Sequence, residues 1–189
     1  IKNDYIHVMA QQWNSLGNGV SGMLWDDNFV SDLEVFNNEL YVAGLFITAG
    51  GDTIKHIAKW DGSNWYTLGN GIEDTTIYGN YPSVNSLEVY NGKLYIGGYF
   101  TLTGDTITTI VASWNGTELI AVFTEIDIWN AVHMIEYNNE LYIVTWDKLI
   151  KWNGSVWDTV LYYQFSYGRI RSLLVYNNEL YVGGAFDSI

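Results

Sequence analysis

The sequence predicts an all-β fold built from tandem four-stranded units, and three observations predict it. One strand-like string occurs four times: NNELYVAG at Asn37–Gly44, NGKLYIGG at Asn91–Gly98, NNELYIVT at Asn138–Thr145 and NNELYVGG at Asn177–Gly184. A second string occurs three times: KWDGSNW at Lys59–Trp65, SWNGTEL at Ser113–Leu119 and KWNGSVW at Lys151–Trp157. Aromatic residues make up 16% of the chain, which suits pleated strands. Strand repeats of about 40–50 residues are typical of propellers and solenoids.

Each unit reads as four short strands joined by three hairpins. In the first unit the predicted strands are Val30–Phe36, Glu39–Phe46, His56–Trp60 and Asn64–Gly69. A tight Asn-Asn turn joins the first two strands, and the longer loop Ile47–Thr53 joins the second to the third. The Asp-Gly pair after Trp60 has the chemistry of a two-residue hairpin turn, in which both central residues adopt positive φ.

At 189 residues the chain is long enough for one buried domain, and we predict a single propeller domain over 1–189. Its predicted blades cover about 30–69, 84–123, 131–162, and 170–189 together with 5–17. The fourth blade is divided because its first two strands end the chain, whereas Tyr5–Ala10 and Gln12–Val20 resemble the third and fourth strands of other units. We therefore predict four blades of four antiparallel strands, with the N- and C-terminal strands closing the ring in one shared blade. An eight-blade ring from two chains, or a fragment of a longer array, are the alternatives.

Composition restricts the partners. The net charge of −13 argues against nucleic acid, which needs Lys and Arg to displace counterions, and against anionic membrane surfaces. The sequence contains no run of 18 apolar residues, so no membrane insertion is predicted. The absence of cysteine excludes disulfides and thiolate chemistry. The chain begins at Ile1 without a signal-peptide pattern, so we expect a processed or excised piece, and the oligomeric state stays open.

The repeats resemble a known group of proteins. The pattern LYVGG-F, then IAKWDGS-W, then LGNG is similar to the repeats of secreted Bacteroidetes-type β-propeller proteins and to kelch-like repeats of fungal cell-polarity markers. The resemblance covers nearly the whole chain and implies a β-propeller on an extracellular or cell-surface protein. It implies no activity, because a fold does not determine a function. The third unit departs from the pattern, since Val144-Thr145 replaces the glycine pair.

The candidate binding residues lie in the loops between blades. In a propeller these loops, Ser21–Asn28, Glu73–Ser83, Glu125–Ala131 and Phe165–Ile170, open on one face, and here they are the least repetitive parts of the chain. Aromatic faces stack on sugar C–H groups, and carboxylates accept sugar hydroxyls. The alternative is that the aromatic rings plug the mouth of the ring. The predicted ligand-binding residues are Trp25, Asp26, Asp27, Tyr78, Tyr81, Trp129, Tyr167 and Arg169.

Catalytic patterns are sparse, and no catalytic residue is assigned. Glu136 is the one carboxylate at a first-strand position that the other units fill with valine. A carboxylate in a dry environment there would have a raised pKa, which would indicate a site; a local register change that turns Glu136 to water is the competing interpretation. The competing functional class is a glycan hydrolase or lyase, with Glu136 or the pair Asp26 and Asp27 as acid or base.

No cofactor and no metal site is predicted, with Ca²⁺ kept as an open alternative. The middle loops repeat Gly-Asp-Thr, so Asp52 and Asp105 would each offer a carboxylate to Ca²⁺, although a simple turn role explains the triplets as well. The leading hypothesis is a non-enzymatic extracellular binding or scaffold module that recognises a glycan or protein surface. A purely structural repeat spacer is the third class.

Overall fold

The computed structural model describes residues 15–22, 29–73, 82–103, 108–123, 131, 133–162 and 169–185. These residues contain 17 β-strands and no helix, so no helix among them is long and apolar enough to cross a membrane. The strands are β1 (Val20–Ser21), β2 (Phe29–Phe36), β3 (Glu39–Leu45), β4 (Thr48–Ala49), β5 (Asp52–Thr53), β6 (Ile57–Trp60), β7 (Trp65–Tyr66), β8 (Ser83–Tyr90), β9 (Lys93–Thr101), β10 (Thr108–Trp114), β11 (Leu119–Phe123), β12 (His133–Tyr137), β13 (Glu140–Val144), β14 (Lys148–Trp152), β15 (Trp157–Tyr162), β16 (Arg169–Tyr176) and β17 (Glu179–Ala185).

The strands form antiparallel sheets that follow the repeats. Three units are four-stranded meanders in chain order, β2-β3-β6-β7, β8-β9-β10-β11 and β12-β13-β14-β15. The fourth unit has two strands, β16 and β17, in the part of the chain that is described. The all-β prediction and the hairpin order within each unit are therefore confirmed. A closed ring is not seen among these residues, and Tyr5–Ala10, predicted to complete the fourth unit, lies outside them.

The turns divide into two kinds, and one prediction about them was wrong. The first hairpin of the first unit has φ of 52° and 63° at Asn37 and Asn38, as the tight turn requires. The Asp61-Gly62 pair is not a two-residue turn, because Trp60 pairs with Trp65 and leaves a four-residue loop. The Asp61 carboxylate accepts the backbone N–H groups of the two residues that follow Gly62, at 2.8 and 2.7 Å. These side-chain bonds add to a backbone bond from the Asp61 N–H to the Asn64 carbonyl at 3.2 Å, and the second and third units repeat the same loop length.

The loop predicted between the second and third strands of the first unit contains two short strands, β4 and β5. They pair with β1 from the N-terminal segment to form a small three-stranded sheet. The sequence did not predict this sheet, because two-residue strands carry no periodicity. The predicted fourth strand of the first unit is also shorter than expected, with only Trp65 and Tyr66 in the ladder.

The units pack on one another in a single repeated way. Each sheet has a tyrosine face and a leucine face, and the tyrosine face of one unit packs on the leucine face of the next. Between the first and second units Tyr41 and Ala43 join Leu94 and Ile96 in one buried cluster. The tyrosine faces carry Tyr41, Tyr95, Tyr142 and Tyr181, and the leucine faces carry Leu40, Leu94, Leu141 and Leu180. Equivalent clusters join the second unit to the third and the third to the fourth.

Polar contacts support these interfaces. The indole N–H of Trp114 donates to the hydroxyl of Tyr41 at 3.1 Å, inside the first interface. Hydrogen bonds also link neighbouring first strands: the Ser86 hydroxyl accepts the Met134 N–H at 3.0 Å, and the Asp32 carboxylate accepts the Leu87 N–H at 2.8 Å. These bonds align β2 with β8 and β8 with β12, and β16 lies beside β12 in turn.

The N-terminal segment 15–22 occupies the position that the end of the first unit occupies on the second. The Gly19 carbonyl accepts the Gly50 N–H at 2.8 Å, and the Gly71 carbonyl accepts the Thr103 N–H at 3.0 Å. Val20 pairs with Ala49 in the same way as Ile72 pairs with Leu102. Segment 15–22 therefore lies on the first unit as the tail of a preceding unit would.

The glycine pair has a structural reason. In three units the first two strands shift register near their start, between Val84 and Ser86 in the second unit and at equivalent points in the first and fourth. A Cβ on Gly98 would overlap the Ser83 carbonyl oxygen, so only glycine fits beside the bulge. The third unit has Thr145 at this position, and its first two strands pair without a shift.

We expect Gly98→Ala to destabilise the protein by roughly 2–4 kcal/mol, because the new methyl group meets backbone that cannot move without breaking the β8–β9 ladder. Gly97→Ala is the matched control. Its Cβ would meet side-chain atoms, the Met134 sulfur at 3.0 Å and the Ala131 Cβ at 3.1 Å, and no backbone atom, and the first unit already has Ala43 there. Urea denaturation of both variants tests the difference, and equal losses would contradict this account of the bulge.

Candidate functional site

Most of the predicted ligand-binding residues lie outside the described part of the chain. Arg169 is described, at the start of β16. The other seven, which the structure leaves undescribed, are Trp25, Asp26, Asp27, Tyr78, Tyr81, Trp129 and Tyr167.

Arg169 stacks on an aromatic ring from another unit. Its guanidinium carbon lies 3.3 Å from the centroid of the Trp146 ring, a cation–π contact between the fourth and third units. Trp146 belongs to the short connection between β13 and β14, where the other units have a longer loop. The guanidinium and the ring are both exposed, so they form an amphipathic surface at this end of the units. The sequence named Arg169 but not its partner, because the third unit lacks the repeat pattern there.

The starts of the four first strands lie at one edge of the stacked units. β2, β8, β12 and β16 are neighbours in that order. The Met134 N–H donates to Ser86 and the Glu136 N–H donates to Glu88, which shows that β8 and β12 run in the same direction. Each predicted inter-blade loop leads into one of these strands. The described ends of the loops therefore reach the same edge, which is the edge where Trp146 and Arg169 meet.

A row of carboxylates crosses the first strands below this edge. Asp32 and Glu34 are on β2, Glu88 is on β8 and Glu136 is on β12. Two of them bind across unit boundaries: Asp32 accepts the Leu87 N–H, and Glu88 accepts the Glu136 N–H at 3.1 Å. Glu34 instead accepts the N–H of its own neighbour in β2 at 2.8 Å.

Glu88 is the titratable group that this arrangement changes most. The pKa of its carboxyl is raised to about 7, chiefly by burial and also by the negative charges of Glu34, Glu136 and Asp32, while the hydrogen bond from the Glu136 N–H opposes the shift. A carboxyl with this pKa is half protonated near neutral pH and is able to donate or accept a proton. The sequence did not indicate Glu88, because the first unit carries Glu34 at the same position and the pattern is typical of a solvated strand.

Glu136, the predicted unusual carboxylate, is exposed to solvent. The register change proposed to explain it is absent, because Glu136 pairs with Leu141 as Val89 pairs with Leu94. Its effect on the site is indirect: its backbone N–H binds the Glu88 carboxylate, and its charge acts on the Glu88 pKa.

A pocket of about 480 Å³ lies at the outer rim, between segment 15–22 and the first unit. Trp60 and Trp65 line it, with Asn18, Asp52 and Asn64 as polar neighbours. Asn18 donates to the Gly50 carbonyl at 3.1 Å, and this bond holds the segment in place. The equivalent position of the second unit is a smaller pocket of about 260 Å³ with leucine in place of tryptophan. Of these two pockets, the one on the first unit is lined by aromatic rings and the one on the second unit is not.

Of the two residues considered for Ca²⁺, one lies in the described part of the chain. Asp52 is exposed in β5, and Asp105 lies outside the described residues. Among the residues that the structure describes, no group of three or more His, Cys, Asp or Glu side chains is placed to hold a metal ion. The Ca²⁺ alternative therefore stays a prediction without a geometric site.

No protein-family model matches this chain, and no curated protein matches its sequence. The resemblance to secreted propeller repeats therefore stays a prediction that depends on the repeat residues themselves.

We expect Glu88→Gln to make the stability of the protein less dependent on pH. Because the folded pKa of about 7 lies above the unfolded value of 4.5, the wild type loses stability as pH rises through this window, whereas glutamine does not ionise. The variant should match the wild type below pH 4.5 and exceed it by about 1–2 kcal/mol above pH 7, a range that allows for the partial exposure of the group.

Thermal unfolding between pH 4 and pH 8.5 measures this difference. Glu34→Gln removes one of the neighbouring negative charges and should reduce the pH dependence without abolishing it. Parallel pH profiles for wild type and Glu88→Gln would contradict the raised pKa.

Proposed function

We propose that this protein is a non-enzymatic binding or scaffold module of the extracellular space or cell surface, which recognises a glycan or protein through its inter-blade loops. One observation carries the proposal: the first strands of the four units, β2, β8, β12 and β16, begin at one edge, and the exposed pair Trp146 and Arg169 lies at that edge. Loops displayed at one edge of a rigid β scaffold form a continuous surface, and binding residues concentrate on such loops.

The architecture proposed for this module is a four-blade β-propeller closed by the N- and C-terminal strands in one blade. Two observations support it. Successive units pack tyrosine face on leucine face, as radial blades do. Segment 15–22 lies on the first unit as the tail of a preceding unit would, which is the place of the fourth blade in a ring.

Glycan recognition is favoured by the composition of the loop face. By sequence, Trp25, Trp129 and Tyr167 belong to the loops that lead into the first strands. Trp146 and Arg169 are exposed where the third and fourth units meet, and Arg169 supplies hydrogen-bond donors. Stacking on one exposed ring contributes on the order of 1 kcal/mol, so several rings must converge to give useful affinity.

A glycan hydrolase or lyase is the second candidate, and Glu88 is the observation that favours it. A carboxyl with a pKa of about 7 beside other carboxylates has the properties of a general acid. If this candidate is correct, the purified protein releases reducing ends or unsaturated products from a glycan, and the Glu88→Gln variant does not. Binding without turnover favours the module, and a purely structural spacer would neither bind nor turn over a glycan.

We expect the purified chain to bind a subset of a glycan array, and the double variant Trp25→Ala and Trp129→Ala to lose at least tenfold in affinity with a nearly unchanged melting temperature. Arg169→Ala should weaken binding less, because only one stacking pair is lost. Tyr66→Ala is the control, since Tyr66 is an exposed aromatic residue away from the loop edge. A large loss of stability in the double variant would mean that the tryptophans are core plugs, and retained binding would exclude the loop face.

A further inference from the structure

The interfaces between units use the same contacts at equivalent positions. The Tyr90 hydroxyl donates to the Asn139 carbonyl at 2.9 Å, and the Tyr137 hydroxyl donates to the Asn178 carbonyl at 3.0 Å. Each bond joins the last residue of a first strand to the turn of the next unit. The tyrosine hydroxyl therefore fixes the turn of the next unit in place. Among these interfaces the bond is present where the first strand of the earlier unit ends in tyrosine.

The leucine face of the first unit is exposed where the equivalent face of the second unit is buried. Leu33 is 57% exposed and Val35 is 61% exposed, whereas Leu87, at the position of Leu33, is 3% exposed. Segment 15–22 covers the outer part of this face through Leu16 and Val20. The inner part, on β2, has no covering unit among the described residues.

The tyrosine face of the fourth unit shows the complementary exposure. Tyr176 is 60% exposed and Tyr181 is 47% exposed, whereas their equivalents Tyr90 and Tyr95 are 4% and 6% exposed. The ring centroids of Tyr176 and Tyr181 are 6.2 Å apart, close to the 5.6 Å between the ring centroids of the buried pair Tyr90 and Tyr95. The face therefore has the arrangement of an interface before any partner covers it.

A backbone hydrogen bond in β2 also differs from its equivalents in the second and third units. Leu33 N–H binds the carboxylate of Asp32, its own neighbour, at 2.8 Å. The equivalent N–H groups of Leu87 and Met134 bind a side chain of the preceding unit instead. The fourth unit has Ser172 at the position from which Ser86 makes this contact, so its hydroxyl is suited to accept the Leu33 N–H.

We propose that the exposed tyrosine face of the fourth unit docks on the exposed leucine face of the first unit of the same chain. In this interface Leu174 packs on Val35, and the Tyr176 hydroxyl donates to the Asn38 carbonyl. The inference rests on the proposed ring and identifies its closing surface. Segment 15–22 favours the same chain over a second copy, because it already lies on the outer part of the face that the fourth blade must cover.

The test uses the absence of cysteine from the chain. Val35→Cys with Leu174→Cys places one thiol on each exposed face, at strand positions where substitution leaves the core intact. The matched control is Glu88→Cys with Glu136→Cys, the equivalent positions of the second and third units, which are in contact. Both full-length variants are oxidised with copper phenanthroline, alkylated and measured by intact mass spectrometry, because a disulfide requires Cα atoms within about 7 Å.

We expect both pairs to form a disulfide within a single chain, without alkylation. A disulfide-linked dimer for the first pair would place a second copy on the face and overturn the proposal. If both thiols of the first pair are alkylated while the control pair forms its disulfide, the array is open and the proposal is overturned. Neither result depends on a ligand, so failure of the closure is distinguishable from failure of the glycan-binding proposal.

A second measurement keeps the test decisive if a cysteine variant does not fold. Tyr176→Phe removes the hydroxyl assigned to the closing contact, and Tyr137→Phe removes the hydroxyl seen bonded to Asn178. In a closed ring both substitutions lower the melting temperature by a similar amount. A decrease for Tyr137→Phe with no change for Tyr176→Phe contradicts the closure.

Discussion

The packing of a tyrosine face on the leucine face of the next unit is the interaction on which the rest of this structure depends. No sheet among the described residues has more than four short strands, and a sheet of this size does not bury enough apolar surface by itself. Tyr41 is fully buried in the first interface, where residues of the second unit pack around it and Trp114 donates to its hydroxyl. Stability is therefore distributed over the interfaces, and the order of the units along the chain becomes their order in space.

The same packing brings acidic side chains of different units together. Asp32, Glu34, Glu88 and Glu136 are far apart in the sequence, yet they share one row because the first strands are neighbours. The hydrogen bonds that align these strands use two of the carboxylates as acceptors. The pKa of Glu88 is raised chiefly because the stacked units bury its carboxyl, and the neighbouring negative charges add to this increase.

The local structure could be predicted from the repeats, whereas irregular connections could not. The alternation of VSDLEVF and the Asn-Asn pair predict β2, its turn and β3, since strand period and turn chemistry are local properties. The hairpin after Trp60 was predicted with the wrong turn, because Asp61 binds the backbone through its side chain and lengthens the loop. The β1-β4-β5 sheet joins residues nearly thirty positions apart through two-residue strands, and no local pattern reports such a contact.

The sequence by itself determined the all-β class of the fold and the order of the hairpins within each unit. These follow from periodicity, because a residue two positions along a strand returns to the same face. Only the tertiary structure decided which face meets which, that Trp146 lies against Arg169, and that burial raises the pKa of Glu88. The physical reason is that burial and electrostatic environment arise between units, from side chains that the chain brings together only when the units stack.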